Sequence, residues 1–136
     1  LRGRTASGQS PPGVLPRLSW PVDGRITSRF AMRDGRLHEG IDVAQAAGTA
    51  VHPARPGVVV LAEELPGYGR VVVVQHTGEI ATVYAHLAEV DVVVDDHVEP
   101  GRRLGSIGTS GRSFGAHLHF EVRFDGTAVD PVVFLD

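Results

Sequence analysis

Glycine or proline interrupts nearly every stretch of this chain before three turns of helix could accumulate, and this punctuation constrains the fold more than any other feature. Between the breaks lie short β-branched runs: Val58-Val59-Val60, Val71 to Val74 and Val92-Val93-Val94. Such runs, bounded by turn residues, form strands. The expected fold class is mostly β, an antiparallel sheet with little or no helix. Strands are expected at Arg25 to Ser28, Gly40 to Val43, Ala50 to Pro53, Gly57 to Glu63, Arg70 to His76, Ile80 to Leu87, His97 to Glu99, Arg103 to Ile107, His117 to Arg123 and Thr127 to Val129. Val98-Glu99-Pro100-Gly101 followed by Leu104-Gly105-Ser106-Ile107-Gly108 looks like the hairpins of barrel-sandwich folds.

A length of 136 residues suits one hydrophobic core. Residues 1–17, rich in Gly, Ser, Pro and Arg and lacking any helical or strand period, are expected to be a flexible linker or tail, and 18–136 the folded domain. The chain starts on Leu1, and Leu1 to Pro16 shows no charged-then-apolar pattern, so a mature or excised fragment is expected, with any signal or anchor outside it. No apolar run approaches the roughly 18 residues that span a bilayer, which excludes membrane insertion by a helix of this fragment.

Composition removes whole classes of chemistry. The net charge is -3, so nothing suggests the electrostatic footprint of a nucleic-acid binder. All 13 basic residues are Arg. Without Lys there is no Schiff-base chemistry, no P-loop and no lipoyl or biotinyl carrier. Cys is absent too, which excludes disulfides, thiolate nucleophiles and Cys-based metal sites. A metal would have to be held by His and carboxylate, and there are seven His.

Their placement is informative. In the strand starting at His117, alternation puts His117, His119, Glu121 and Arg123 on one face and Leu118, Phe120, Val122 and Phe124 on a core face. The segment His38-Glu39-Gly40-Ile41-Asp42 superficially resembles a zincin helix, but Gly40 and the terminal Asp42 favour an extended reading. Extended, it lets His38 and Asp42 converge while Glu39 points away. In Thr82 to Leu87, alternation sends Thr82, Tyr84 and His86 to a polar face and Val83, Ala85 and Leu87 to the core. His52, His76 and His97 lack such company and are expected to be structural or solvent-exposed.

A catalytic zinc typically takes three protein ligands and keeps one position for water. His38, Asp42 and His119 supply that set, for one Zn2+ per chain. The ion would lower the pKa of its water toward ~7 and polarise a carbonyl, which suits amide hydrolysis without a Ser or Cys nucleophile. His86 and His117 would then share the work of general base, oxyanion stabiliser and proton donor; the sequence leaves open which does which. Glu121 stands two residues from His119 on the same face, where it could orient an imidazole.

The chain resembles the lysostaphin-type (LytM-like) zinc metallopeptidases of bacterial cell walls, over nearly the whole span from Trp20 to Leu135. The stretches that carry the likeness include Trp20-Pro21-Val22 with Gly24, Ile26-Thr27-Ser28-Arg29-Phe30, His38-Glu39-Gly40-Ile41-Asp42, Gly67-Tyr68-Gly69, Tyr84-Ala85-His86-Leu87 and Gly115 to Arg123 with its His117-Leu118-His119 core. The resemblance implies zinc on His38, Asp42 and His119, catalysis by His86 and His117, and a peptide stem or crosslink of peptidoglycan as substrate. It implies an extracytoplasmic place in a bacterium; the chain is expected to be a monomer. It also implies a groove walled by loops, here around Arg33 to Leu37, Pro66 to Arg70, Ala88 to Val90 and Ser110 to Ala116. Ala31, Phe114 and Ala116 depart from the family's usual Gly, Thr and Pro, which bears on substrate preference. The alternative is a non-cleaving wall-binding or amidase-activating regulatory domain of the same fold. Loss of a ligand would favour it, and the chain keeps all five key side chains.

Overall fold

The computed structural model describes residues 17–111 and 115–135, so the expected tail lies outside the described residues except for Arg17. Twelve strands form: β1 (Arg25–Ser28), β2 (Ala31–Arg33), β3 (Arg36–His38), β4 (Ile41–Ala44), β5 (Ala50–Val51), β6 (Gly57–Leu65), β7 (Gly69–Gln75), β8 (Ile80–Val90), β9 (His97–Val98), β10 (Gly105–Ile107), β11 (His117–Phe124) and β12 (Thr127–Val129). The described residues contain no α-helix, only a 3-10 turn at Pro131–Val133. None of them forms a helix long and apolar enough to cross a membrane. Ten strands were expected; β2 and β3 are additional. They make a separate hairpin, turning at Asp34 and Gly35, whose φ values of 48° and 77° suit a two-residue connection.

The main sheet is antiparallel throughout, in the order β1-β4-β11-β8-β7-β6-β9, with β12 added to β11 and β10 joining β8 to β5. It is open, not a barrel. Residues directly opposite in antiparallel strands point to the same side. Phe120 opposes Ile41 on β4 and Tyr84 on β8, and Leu118 opposes Val43, so these side chains meet in the main core. Tyr84 and Phe120 pack with ring centroids 5.4 Å apart. His119 opposes Asp42 and Ala85 on the other face. Phe124, expected in the core, is 49% exposed where β11 runs out into the Asp125-Gly126 turn.

The face assignment of β8 needs correction. Thr82 and Tyr84 are fully buried on the main-core side, whereas Val83 and Ala85 lie with Val71, Leu61, Leu65, Tyr68 and Val73 in a second apolar cluster. The strand is covered on both sides, so its burial shows no period of two. At His86 the backbone takes φ 66°, and the β7–β8 register slips between Arg70/Leu87 and Val72/Tyr84. This bulge sends His86 to the groove and returns Leu87 to the core.

One histidine belongs to the fold. His76, only 4% exposed, donates from Nδ1 to Pro56 O (2.8 Å), and its Nε2 accepts from Thr82 Oγ1 (2.8 Å). Thr82 Oγ1 lies 2.6 Å from the Tyr84 hydroxyl, which accepts from Ala54 N (2.9 Å). Each polar atom in this buried chain has its partner. Burial pushes the His76 imidazole down to about 4, against the opposing pull of the Pro56 carbonyl, so the ring stays neutral.

Candidate metal centre

Three strands deliver the proposed ligands. His38 ends β3, Asp42 lies in β4 and His119 in β11, with Asp42 and His119 directly opposite each other. Gly40 makes the intervening crossing possible: a Cβ there would stand 2.4 Å from Phe120 O and 3.1 Å from His119 Cε1. One donor atom from each of His38, Asp42 and His119 lies within 4.8 Å of the others. His38 Nδ1 donates to Arg29 O (3.0 Å), leaving Nε2 3.5 Å from Asp42 Oδ2. His119 Nε2 bonds Glu121 Oε2 (2.8 Å), leaving Nδ1 2.9 Å from Asp42 Oδ1. Each imidazole thus has one nitrogen fixed by a neighbour and the other directed at the shared carboxylate. Two imidazoles and a carboxylate, without thiolate, match the donor preferences of a catalytic zinc, and the outer hydrogen bonds fix ring orientation as ligating histidines require.

His86 and His117 face the same groove. Their ring centroids are 5.0 Å apart, and His86 lies 5.9 Å from His119. His86 Nδ1 donates to Ser110 O (2.6 Å). Ser110 is itself clamped, its hydroxyl donating to Leu87 O (2.7 Å) and accepting from Arg70 N (3.0 Å). Gly69 lets the two loops meet: at φ 68° it presses so closely on Ser110 that a Cβ would fall 2.4 Å from the Ser110 carbonyl carbon. His117 Nδ1 donates to Gly115 O (3.0 Å), and its Nε2 stands 3.7 Å from Asp42 Oδ1.

The electrostatics distinguish these rings. Burial opposes charge on His119, yet its hydrogen bonds to Asp42 and Glu121 prevail and push it up to about 9. A proton held between two carboxylates occupies a position suited to a cation. Burial would raise Asp42 and Glu121 as well, but His119 beside both, and Arg123 beside Glu121, hold each below the usual carboxylate range. His86 goes the other way: burial first, then the neighbouring imidazoles His117 and His119, lower it despite its Ser110 bond.

All five residues singled out in the sequence therefore line one groove of ≈ 480 Å³, together with Arg33, Arg36, Pro66, Gly67, Tyr68 and Glu121. Glu121 is 1% exposed and joins His119, Tyr68 and Arg123. Tyr68 was seen only as part of a motif; its hydroxyl donates to Glu121 Oε2 (2.9 Å), and burial with the adjacent carboxylate pushes it up to about 12. Ser110 carried no signal, because it acts through its backbone carbonyl. Of the expected walls, Arg33 to Leu37 is the β2–β3 hairpin and Ala88 to Val90 continues β8 instead of lining the groove. Residues 112–114 of the last wall lie outside the described residues.

Strand-borne His/Asp/His donors beside two further imidazoles, on an open antiparallel sheet, define the class of the lysostaphin-type peptidases that the sequence resembles. Residues 36–131 match peptidase family M23, and the chain belongs to that family. It is 37% identical over 121 residues to the DD-carboxypeptidase/endopeptidase Mpg of Neisseria meningitidis serogroup B, covering 89% of this chain and 27% of that protein. It is 32% identical over 117 residues to the murein hydrolase activator NlpD of Escherichia coli K12, covering 85% of this chain and 30% of that one. A zinc-containing peptidase from Vibrio cholerae superposes with a TM-score of 0.79 at 32% identity, over 85% of this chain and 39% of the other. The chain thus spans about a third or less of the length of the curated relatives it matches.

Proposed function

We propose that this chain is a zinc-dependent endopeptidase that hydrolyses peptide bonds in peptidoglycan stem peptides or crosslinks, outside the bacterial cytoplasm. The observation that carries the reading is the convergence of His38, Asp42 and His119 with two non-ligand imidazoles in one groove. His38 Nε2, the Asp42 carboxylate and His119 Nδ1 would hold the ion. Bound there, zinc supplies Lewis acidity toward a carbonyl and acidifies water.

The chain's own residues account for the proton movements. Ser110 O fixes the His86 tautomer with the proton on Nδ1, and burial keeps the ring neutral, so Nε2 accepts the proton of the attacking water. The same atom then returns it to the leaving amine. His117, anchored through Nδ1 to Gly115 O, presents Nε2 to the oxyanion that develops at the scissile carbonyl. Glu121, itself held by Tyr68 and Arg123, keeps His119 oriented. The test compares the wild type with His86→Ala and His117→Ala. Both variants are expected to retain zinc and to release new amino groups from purified sacculi far more slowly than the wild type; full activity in either removes its assigned role.

The 32% identity to NlpD favours one second reading, a domain that activates a separate wall hydrolase. On that reading the zinc-loaded chain alone leaves sacculi intact, and release appears only with the second enzyme. The complete set of five side chains weighs toward the endopeptidase.

A further inference from the structure

Arg33 and Arg36 stand directly opposite each other across the β2–β3 hairpin, so their side chains share a face. On β3 the same face carries His38, two residues beyond Arg36. Like charges placed opposite one another weaken a hairpin. Both arginines line the groove of the metal centre, and both also line an adjoining cleft of ≈ 500 Å³ with Asp34, Leu37 and His38. Among the described residues the Arg36 guanidinium has no hydrogen bond or ion pair, and Arg33 makes only a neutral one, from NH1 to Ser28 Oγ (2.7 Å). The same Ser28 Oγ lies 3.3 Å from His38 Nδ1, which ties the position of Arg33 to that of a proposed ligand.

The carboxylates lining these clefts do not neutralise the pair. Glu39 accepts from Arg123 (3.0 Å), Asp42 and Glu121 face His119, and Asp34 forms no ion pair with either arginine. We propose that Arg33 and Arg36 form a carboxylate subsite, which takes a free carboxylate of the peptide substrate on the His38 side of the scissile bond. A guanidinium fork matches a planar carboxylate with two parallel hydrogen bonds, and a pair of forks beside one end of the groove selects an acidic peptide in one orientation. This subsite rests on the endopeptidase reading and assigns its substrate class.

The test titrates the zinc-loaded chain, by calorimetry, with a short peptide bearing one free side-chain carboxylate and with the same peptide amidated at that group. The acid is expected to bind on the order of tenfold tighter, as a charge-assisted pair does, and Arg33→Gln or Arg36→Gln should erase most of that preference. Arg36→Lys, which keeps the charge but not the fork, should restore part of it. In hydrolysis of the two peptides the preference should sit in KM, with kcat unchanged. Equal binding of acid and amide overturns the subsite, as does an undiminished preference in both Gln variants, which would place the carboxylate on the metal. Inorganic phosphate competing as well as the acidic peptide would also overturn it. Preferential binding without cleavage would sink the endopeptidase reading and leave the subsite standing. Cleavage of both peptides alike does the reverse.

Discussion

The two sides of β8 hold histidines to opposite purposes. On the core side His76 has both ring nitrogens satisfied inside the protein, by Pro56 O and Thr82 Oγ1, and burial keeps it neutral. On the groove side His38, His86 and His117 each spend one nitrogen on a backbone carbonyl and direct the other into a shared space. His119 sits between two carboxylates and is charged when no metal is present. Residue type and burial do not separate these cases, since His76, His86 and His119 are all buried. What separates them is whether the second nitrogen finds a neutral partner within the fold.

Four experiments can break or sharpen that contrast. The largest effect is expected from His119→Ala, which should take zinc content from about one per chain to near zero, read by elemental analysis of the purified protein. His86→Ala should keep the zinc and lose on the order of 10²- to 10⁴-fold in kcat. A variant that loses metal as well would make His86 a ligand, not a base. On the core side the signature is pH dependence. The folded His76 sits at about 4 against 6.5 unfolded, so the unfolded chain binds its proton first. Its stabilisation is complete above pH 6.5 and declines as the pH falls toward 4, by about 3 kcal/mol. Denaturant unfolding of wild type and His76→Gln across that range should show the decline only in wild type; parallel curves would mean His76 is not the titrating group. The smallest effect is expected for Glu121→Gln, a 10- to 100-fold loss of zinc affinity by competition with a chelator, as for other partners that orient a ligand.

The sequence exposed much of the fold and site, for identifiable reasons. β1 and β12 form where expected, and β11 places His117, His119 and Glu121 on one face because its opposite face is uniformly apolar. His38 and Asp42 are legible because Gly40 disfavours a helix, and in an extended segment the two side chains fall on one side. The β2–β3 hairpin carries a strong turn pair in Asp34-Gly35 but no strand signal, since Ala31-Met32-Arg33 and Arg36-Leu37-His38 contain no β-branched residue. The faces of β8 are not legible from alternation, which signals a strand with one wet face, because this one is buried on both. The positive φ at His86 has no sequence marker, as the residue is not glycine. Glu121 is legible beside His119 because alternation puts both on one face of β11, whereas Tyr68 and Ser110 reach the site through contacts between elements far apart in the chain, which periodicity does not encode.

Metal-dependent cleavage of wall peptides by this chain is tested most directly by digesting purified sacculi with the zinc-loaded protein, with an EDTA-treated sample and with that sample after zinc is restored, followed by mass spectrometry of the released fragments. The expected result is soluble fragments carrying new peptide termini in the first and third digests and none in the second. Intact sacculi in all three, from a protein shown to carry its zinc, would contradict the endopeptidase assignment and leave the activator reading in its place.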